Sequence, residues 1–139
     1  EQAICLLIII AHSNDEKPLK SYNISDSLGV SDSYLKKIIR QLVVAGLITS
    51  EAGKKGGVCL SRKPDKITLL DIFEAIEGKE PFAKATGLVE RVFVNELKEI
   101  MDQKQAMILD AFNAAEASYK EKLKTITLKM AMVERKKDS

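Results

Sequence analysis

The sequence contains no tryptophan, one histidine and two cysteines, and aromatic residues make up only 5% of it. Cys5 and Cys59 lie far apart and form no C-x-x-C pair, so they make neither a disulfide framework nor a dithiol motif. A reducing, cytoplasmic setting is the simplest expectation, with both thiols behaving as small buried apolar groups. No metal-ligand spacing is present, and the lone His12 reads as a satisfied helix-end residue. There is no nucleophile–base constellation, and "GKKGG" lacks the order of a phosphate-binding loop, so an enzyme is the least supported class and no catalytic residue is expected. The longest uncharged apolar run, "AICLLIIIA" from Ala3 to Ala11, is too short to span a membrane and lacks the basic flank of a signal peptide. The chain begins at Glu1 rather than methionine, which predicts further residues upstream.

What is present describes a soluble, mainly helical protein. Of 139 residues, 45% are hydrophobic and 30% charged, and Leu, Ile, Ala, Lys and Glu dominate. The net charge of +2 hides an uneven distribution. Between Ser31 and Lys66 stand eight basic residues (Lys36, Lys37, Arg40, Lys54, Lys55, Arg62, Lys63, Lys66) against Asp32, Glu51 and Asp65. A local basic block in an otherwise balanced chain suits either a polyanion-binding face or an ordinary solvated surface.

Periodicity locates the block. Residues 1–12 read as a helix apolar almost all round and buried centrally; "SNDEKPLK", Ser13 to Lys20, reads as a loop. Ser21 to Leu28 reads as a short helix with Ser21 as N-cap and Gly29 as terminator. Ser31 then caps a second helix whose Leu35, Ile38, Ile39, Leu42 and Val43 share one face, leaving Lys36, Lys37 and Arg40 for solvent or a ligand, and Gly46 ends it. Two helices joined through a glycine turn, the second basic on its free face, form a helix-turn-helix pattern. The next element, "LITSEAGKKGGVCLS", reads as two short strands with a Gly/Lys tip, the order of a winged helix. The second helix would then enter a DNA major groove while Lys54 and Lys55 meet the adjacent backbone or minor groove, with Gly53, Gly56 and Gly57 allowing the tight turn. An ordinary surface hairpin is the competing reading.

Beyond the hairpin, Thr68 and Asp71 form a capping box for a helix that Gly78 stops. Residues 79–87, with Pro81, read as a linker. From Leu88 to Leu123, apolar spacings of three and four persist, which predicts one amphipathic helix of ~35 residues, about 50 Å long at 1.5 Å per residue. Its stripe calls for a partner, either a second copy of itself or a fold-back of the same chain. A short helix capped by Thr127 and a frayed "RKKDS" tail complete the chain. The resulting domains are 1–78, a winged helix; 79–87, a linker; and 88–139, a long helix plus a short C-terminal one.

The segment "SDSYLKKIIRQLVVAGLITSEAGKKGGVCLSRKPDKITLLDIFEAIEG", Ser31 to Gly78, resembles the Rrf-type family of bacterial winged-helix regulators, which includes the iron–sulfur cluster regulator and the cysteine-metabolism repressor. Ser31, Ser33, Tyr34 and Leu35 match the family's start of the recognition helix. Ala45, Gly46, Leu47, Ser50, Gly53, Gly56 and Gly57 match its wing, and Ile67 to Gly78 match its following helix nearly throughout. "YKEKLKTITLKMAMV" is similar to the family's C-terminal end, so the resemblance covers nearly the whole chain.

The resemblance implies a homodimer joined through the long helices, its two winged helices reading a pseudo-palindrome in double-stranded DNA, most simply as a transcriptional repressor. By position it assigns DNA contacts to Ser31, Ser33, Tyr34, Lys36, Lys37, Arg40, Lys54, Lys55, Gly56 and Gly57. Ser31, Ser33 and the helix N-terminus suit phosphate, and Lys36 or Lys37 can reach guanine. Tyr34 suits a phosphate, a thymine methyl or simple packing. The departures are equally specific. The three cysteines of cluster-binding members are missing, since residues 79–112 contain none, so no iron–sulfur cluster and no other cofactor is expected. Ala52 stands where some members carry a minor-groove arginine. The releasing signal is then a small molecule, a protein partner, or oxidation of Cys59 or Cys5, with Lys55 and Arg62 favouring the Cys59 thiolate. The alternative function is a winged-helix module that regulates by binding another protein.

Overall fold

The first helix, α1 (Gln2–His12), buries Ala3, Leu6, Leu7 and Ile10, a set spaced i, i+3, i+4, i+7 that shares one face. A computed structural model describes residues 1–13 and 18–134 of the chain. The expectations for the rest of the loop before Pro18 (residues 14–17) and for the 135–139 tail lie outside the described residues. Burial of α1 is one-sided rather than complete: Ile4, Ile8 and Ile9 are half-buried and Cys5 is exposed. At 100° per residue, position 5 falls nearly opposite the buried face, which corrects the reading of Cys5 as a core group.

Helix α2 (Ser21–Leu28) contributes Ile24 to the core and ends at Gly29, whose φ of 64° is the left-handed conformation open to glycine at little cost. Its N-cap is Lys20, without a side-chain cap bond, so Ser21 is the first helical residue and not the cap. Helix α3 (Asp32–Val44) is capped as the sequence predicts, Ser31 Oγ accepting from the Tyr34 N–H at 3.3 Å. It buries Leu35, Ile38, Ile39 and Leu42. Val43, expected on the same face, is 38% exposed because its position has rotated about 90° off the stripe.

Two strands follow, β1 (Ile48–Glu51) and β2 (Gly57–Leu60), antiparallel with Ile48 opposite Leu60 and Glu51 opposite Gly57. Leu47, Ile48 and Val58 anchor this hairpin in the core. A 3-10 turn at Pro64–Lys66 leads to α4 (Leu69–Glu77), whose capping box is complete. Asp71 N–H donates to Thr68 Oγ1 at 3.1 Å, and Thr68 N–H donates to the Asp71 carboxylate at 2.9 Å. The core is closed by the last helix, α7 (Leu128–Ala131), named here with α5 (Leu88–Val92) and α6 (Lys98–Lys124) still to be described. Leu128 is fully buried, and its N–H donates to the Ile67 carbonyl at 2.8 Å. Glu1–Gly78 and the described residues from Leu123 onward therefore form one compact unit, and Lys79–Lys122 forms a second. The boundaries drawn from sequence, 1–78, 79–87 and 88–139, had grouped α7 with the long helix.

In the second unit the expected single helix is two. Helix α5 gives way at Phe93, with φ −108° and ψ 51°, and α6 runs for 27 residues, about 40 Å. The interruption falls at Val92-Phe93-Val94-Asn95, where β-branched, aromatic and Asn side chains all favour helix weakly. Residues 79–87 have no helix or strand but are anchored: the Phe82 ring meets Tyr119 edge-to-face at 5.8 Å, with Lys120 Nζ 5.9 Å from the same ring. Lys120 also pairs at 3.2 Å with Glu116, a buried carboxylate whose Oε1 makes no well-aligned hydrogen bond.

Candidate nucleic-acid interface

The face of α3 that the core does not take carries Lys36, Lys37 and Arg40, all exposed, and Tyr34, 44% exposed. Ser31 and Ser33 are exposed at its first turn with their hydroxyls 3.3 Å apart. The helical twist sends these side chains in two directions. Lys36 and Arg40 line a cleft of about 530 Å³ between α3 and the hairpin, with Ile39 and Val43 on the same wall and Ser50, Glu51 and Gly53 opposite. Tyr34 and Lys37 line a separate depression of about 300 Å³ with Gln2, Gln41 and Glu77. Gln41 Nε2 donates to the Ile76 carbonyl at 3.2 Å, tying α3 to α4 behind the exposed face.

At the hairpin tip Lys54 and Lys55 are exposed, whereas the two glycines expected beside them as contacts shape the turn instead. Gly56 is buried: a Cβ there would sit 2.2 Å from the Glu51 carbonyl oxygen. Gly57 lies against Leu19, whose carbonyl oxygen would be 2.4 Å from an added Cβ. Arg62 is drawn away from Cys59 to the Asp71 carboxylate at 3.4 Å. Cys59 itself is half-buried on β2, opposite Thr49.

One cation of this surface has no local sequence signal. Lys20, read as part of a polar loop, lines the α3–hairpin cleft and donates from Nζ to the Gly53 carbonyl at 2.5 Å. The partners are 33 residues apart, and only the folded chain joins them.

A basic helix beside a Lys-tipped hairpin, preceded by a glycine-turned helix pair, defines a winged helix-turn-helix protein. The comparisons with known proteins narrow this. The model of the Rrf2 family, described as an iron-dependent transcriptional regulator, matches residues 1–134. The chain therefore belongs to the Rrf2 family of transcriptional regulators and is not an enzyme. It is 38% identical over 113 residues to the HTH-type transcriptional regulator YwgB of Bacillus subtilis (strain 168), covering 81% of this chain and 72% of that protein. It is 38% identical over 96 residues to YffB of Lactococcus lactis subsp. lactis (strain IL1403), covering 69% of this chain and 62% of that one. The crystal structure of Staphylococcus aureus CymR is similar with a TM-score of 0.63 at 25% identity, over 97% of this chain and 95% of that one. Family membership implies DNA as a partner.

The family description invokes iron, so the donor set has to be weighed. An iron–sulfur cluster takes about four thiolate or histidine ligands. Cys5 is exposed on α1, Cys59 is on β2 and His12 ends α1. Among the described residues no three His, Cys, Asp or Glu side chains converge to hold a metal ion. The chain's own residues do not fit a cluster. No described helix is long and apolar enough to cross a membrane.

Proposed function

We propose that this chain acts in the cytoplasm as one half of a homodimer that reads a pseudo-palindromic operator and represses transcription. The observation that carries the reading is the pairing of two basic elements on one unit: exposed Lys36, Lys37 and Arg40 on α3, and exposed Lys54 and Lys55 on the hairpin tip. In this reading α3 enters the major groove, where its lysines and Arg40 reach base edges and phosphates. Ser31, Ser33 and Tyr34 hold the flanking backbone, and the hairpin lysines meet the next phosphates. The dimer is supported by α6, where Ile108, Phe112 and Tyr119 are about half exposed along one face with Ile100 and Met107 beside them. Regulation proceeds without an iron–sulfur cluster, and the releasing signal is a small molecule, a protein partner or thiol oxidation.

Titration of a labelled duplex with the full chain at stepped salt tests the reading. Affinity should fall by orders of magnitude between roughly 50 and 200 mM salt, as counterions return to the phosphates. Affinity indifferent to salt would instead favour the protein-binding module.

A further inference from the structure

The strand-like segment before α2 crosses the base of the hairpin. Leu19 exchanges both backbone hydrogen bonds with Val58, its N–H donating at 3.2 Å and its carbonyl accepting at 2.9 Å. The approach is close enough that the neighbouring position, Gly57, has no room for a side chain. One residue further on, the Lys20 side chain reaches the tip, and its ammonium donates to the Gly53 carbonyl. That carbonyl also accepts the Gly56 N–H at 3.1 Å, closing the turn that presents Lys54 and Lys55. The ammonium therefore caps the turn itself. Each strand of the hairpin has only four residues, and a two-stranded ribbon of that size holds its geometry poorly without outside support.

We propose that Lys20 is a positioning residue for DNA. It pins the hairpin tip at a set distance from α3, so that Lys54 and Lys55 meet phosphates on the same duplex that α3 reads. Lys20 spends its charge on a backbone carbonyl and makes no phosphate contact. The proposal rests on the DNA reading above, and it adds a residue outside both the recognition helix and the hairpin on which the geometry of that site depends.

Two readouts on the full chain separate this role from its rivals. The first needs no DNA: in Lys20→Met, which keeps the apolar stem, backbone amides from Gly53 to Gly57 should exchange faster while the core amides of α3 do not change. Equal exchange at the tip overturns the pin. The second is salt-stepped duplex binding. Lys20→Met should weaken binding about two- to ten-fold, the span of one net hydrogen bond, with an unchanged salt slope. The loss should vanish on a duplex trimmed short of the flank the hairpin reaches, and Lys20→Arg, which still donates, should recover most of the affinity. A slope lower by about one would make Lys20 a phosphate contact and overturn the proposal. An equal loss on the trimmed duplex would overturn it too. If the unmodified chain binds no duplex at all, the DNA reading fails and the DNA role of Lys20 with it, while amide exchange still decides whether the pin exists.

Discussion

The two units of the chain treat their apolar residues in opposite ways. In the first, leucines and isoleucines from α1, α2, α3, β1 and α7 converge until Leu6, Leu7, Leu35, Leu42, Leu47, Ile67 and Leu128 are fully buried. In the second, Leu88, Val92, Phe93, Leu97, Ile100, Met107, Ile108 and Phe112 are all about half exposed or more. That unit also holds an open cleft of about 380 Å³ lined by Leu88, Val89, Phe93, Met101 and Ile108. The same hydrophobic chemistry is satisfied internally in one case and left over in the other. A unit that covers its own core can serve as a reading head by itself, whereas apolar surface kept at a helix's face is the usual currency of association.

Placing charges on the leftover surface should have the largest effect. Ile108→Asp with Phe112→Asp should lower dimer affinity by more than about 100-fold, through two unpaired charges buried at a contact, and leave the winged helix folded. Sedimentation and far-UV circular dichroism read the two halves of that statement. An unchanged dimer would mean that this face of α6 is not the seam. Next in size, Leu42→Ala should destabilise the first unit by about 2–5 kcal/mol in urea unfolding, whereas Val94→Ala in the second should stay within about 0.5 kcal/mol. Similar costs at both sites would erase the contrast between a closed and an open unit.

Smaller again is the electrostatic effect at the reading head. Lys54→Ala with Lys55→Ala should flatten the salt slope of duplex binding by about two, one for each lost phosphate contact. An unchanged slope rules these lysines out as phosphate contacts. The smallest effect concerns Glu80, whose carboxyl is held below its ordinary range first by a hydrogen bond from Lys84 and then by that ammonium's charge. Because the folded value is the lower one, this contribution to stability is present above the unfolded pKa and fades as pH drops through the folded one. In Lys84→Met the NMR titration midpoint of Glu80 should move back up; a fixed midpoint would show that the pair does not persist in solution.

Much of the first unit was legible because its signals are local. Ser31, Thr68 with Asp71, and Thr127 cap helices where the sequence predicts, and the spacing of Leu35, Ile38, Ile39 and Leu42 marks the buried face of α3 and so its free one. The failures come from competing or distant terms. Apolar spacing carried through Val92 to Leu97 and concealed the low helix propensity that breaks α5 from α6. Gly56 and Gly57 resembled contact residues, yet their smallness serves the Glu51 and Leu19 backbones. Cys5 sits in an apolar run but on its outward side. Lys20 and Leu128 depend on partners 33 and 61 residues away in sequence, Gly53 and Ile67, which no local pattern reveals.

The most direct measurement is selection of bound duplexes from a random DNA library by the full chain, with sequencing of the survivors. A sequence-reading dimer predicts an enriched palindrome whose half-sites are separated by about one helical turn or a multiple of it. A folded, dimeric protein that enriches no sequence, with or without a reductant present, would contradict the account.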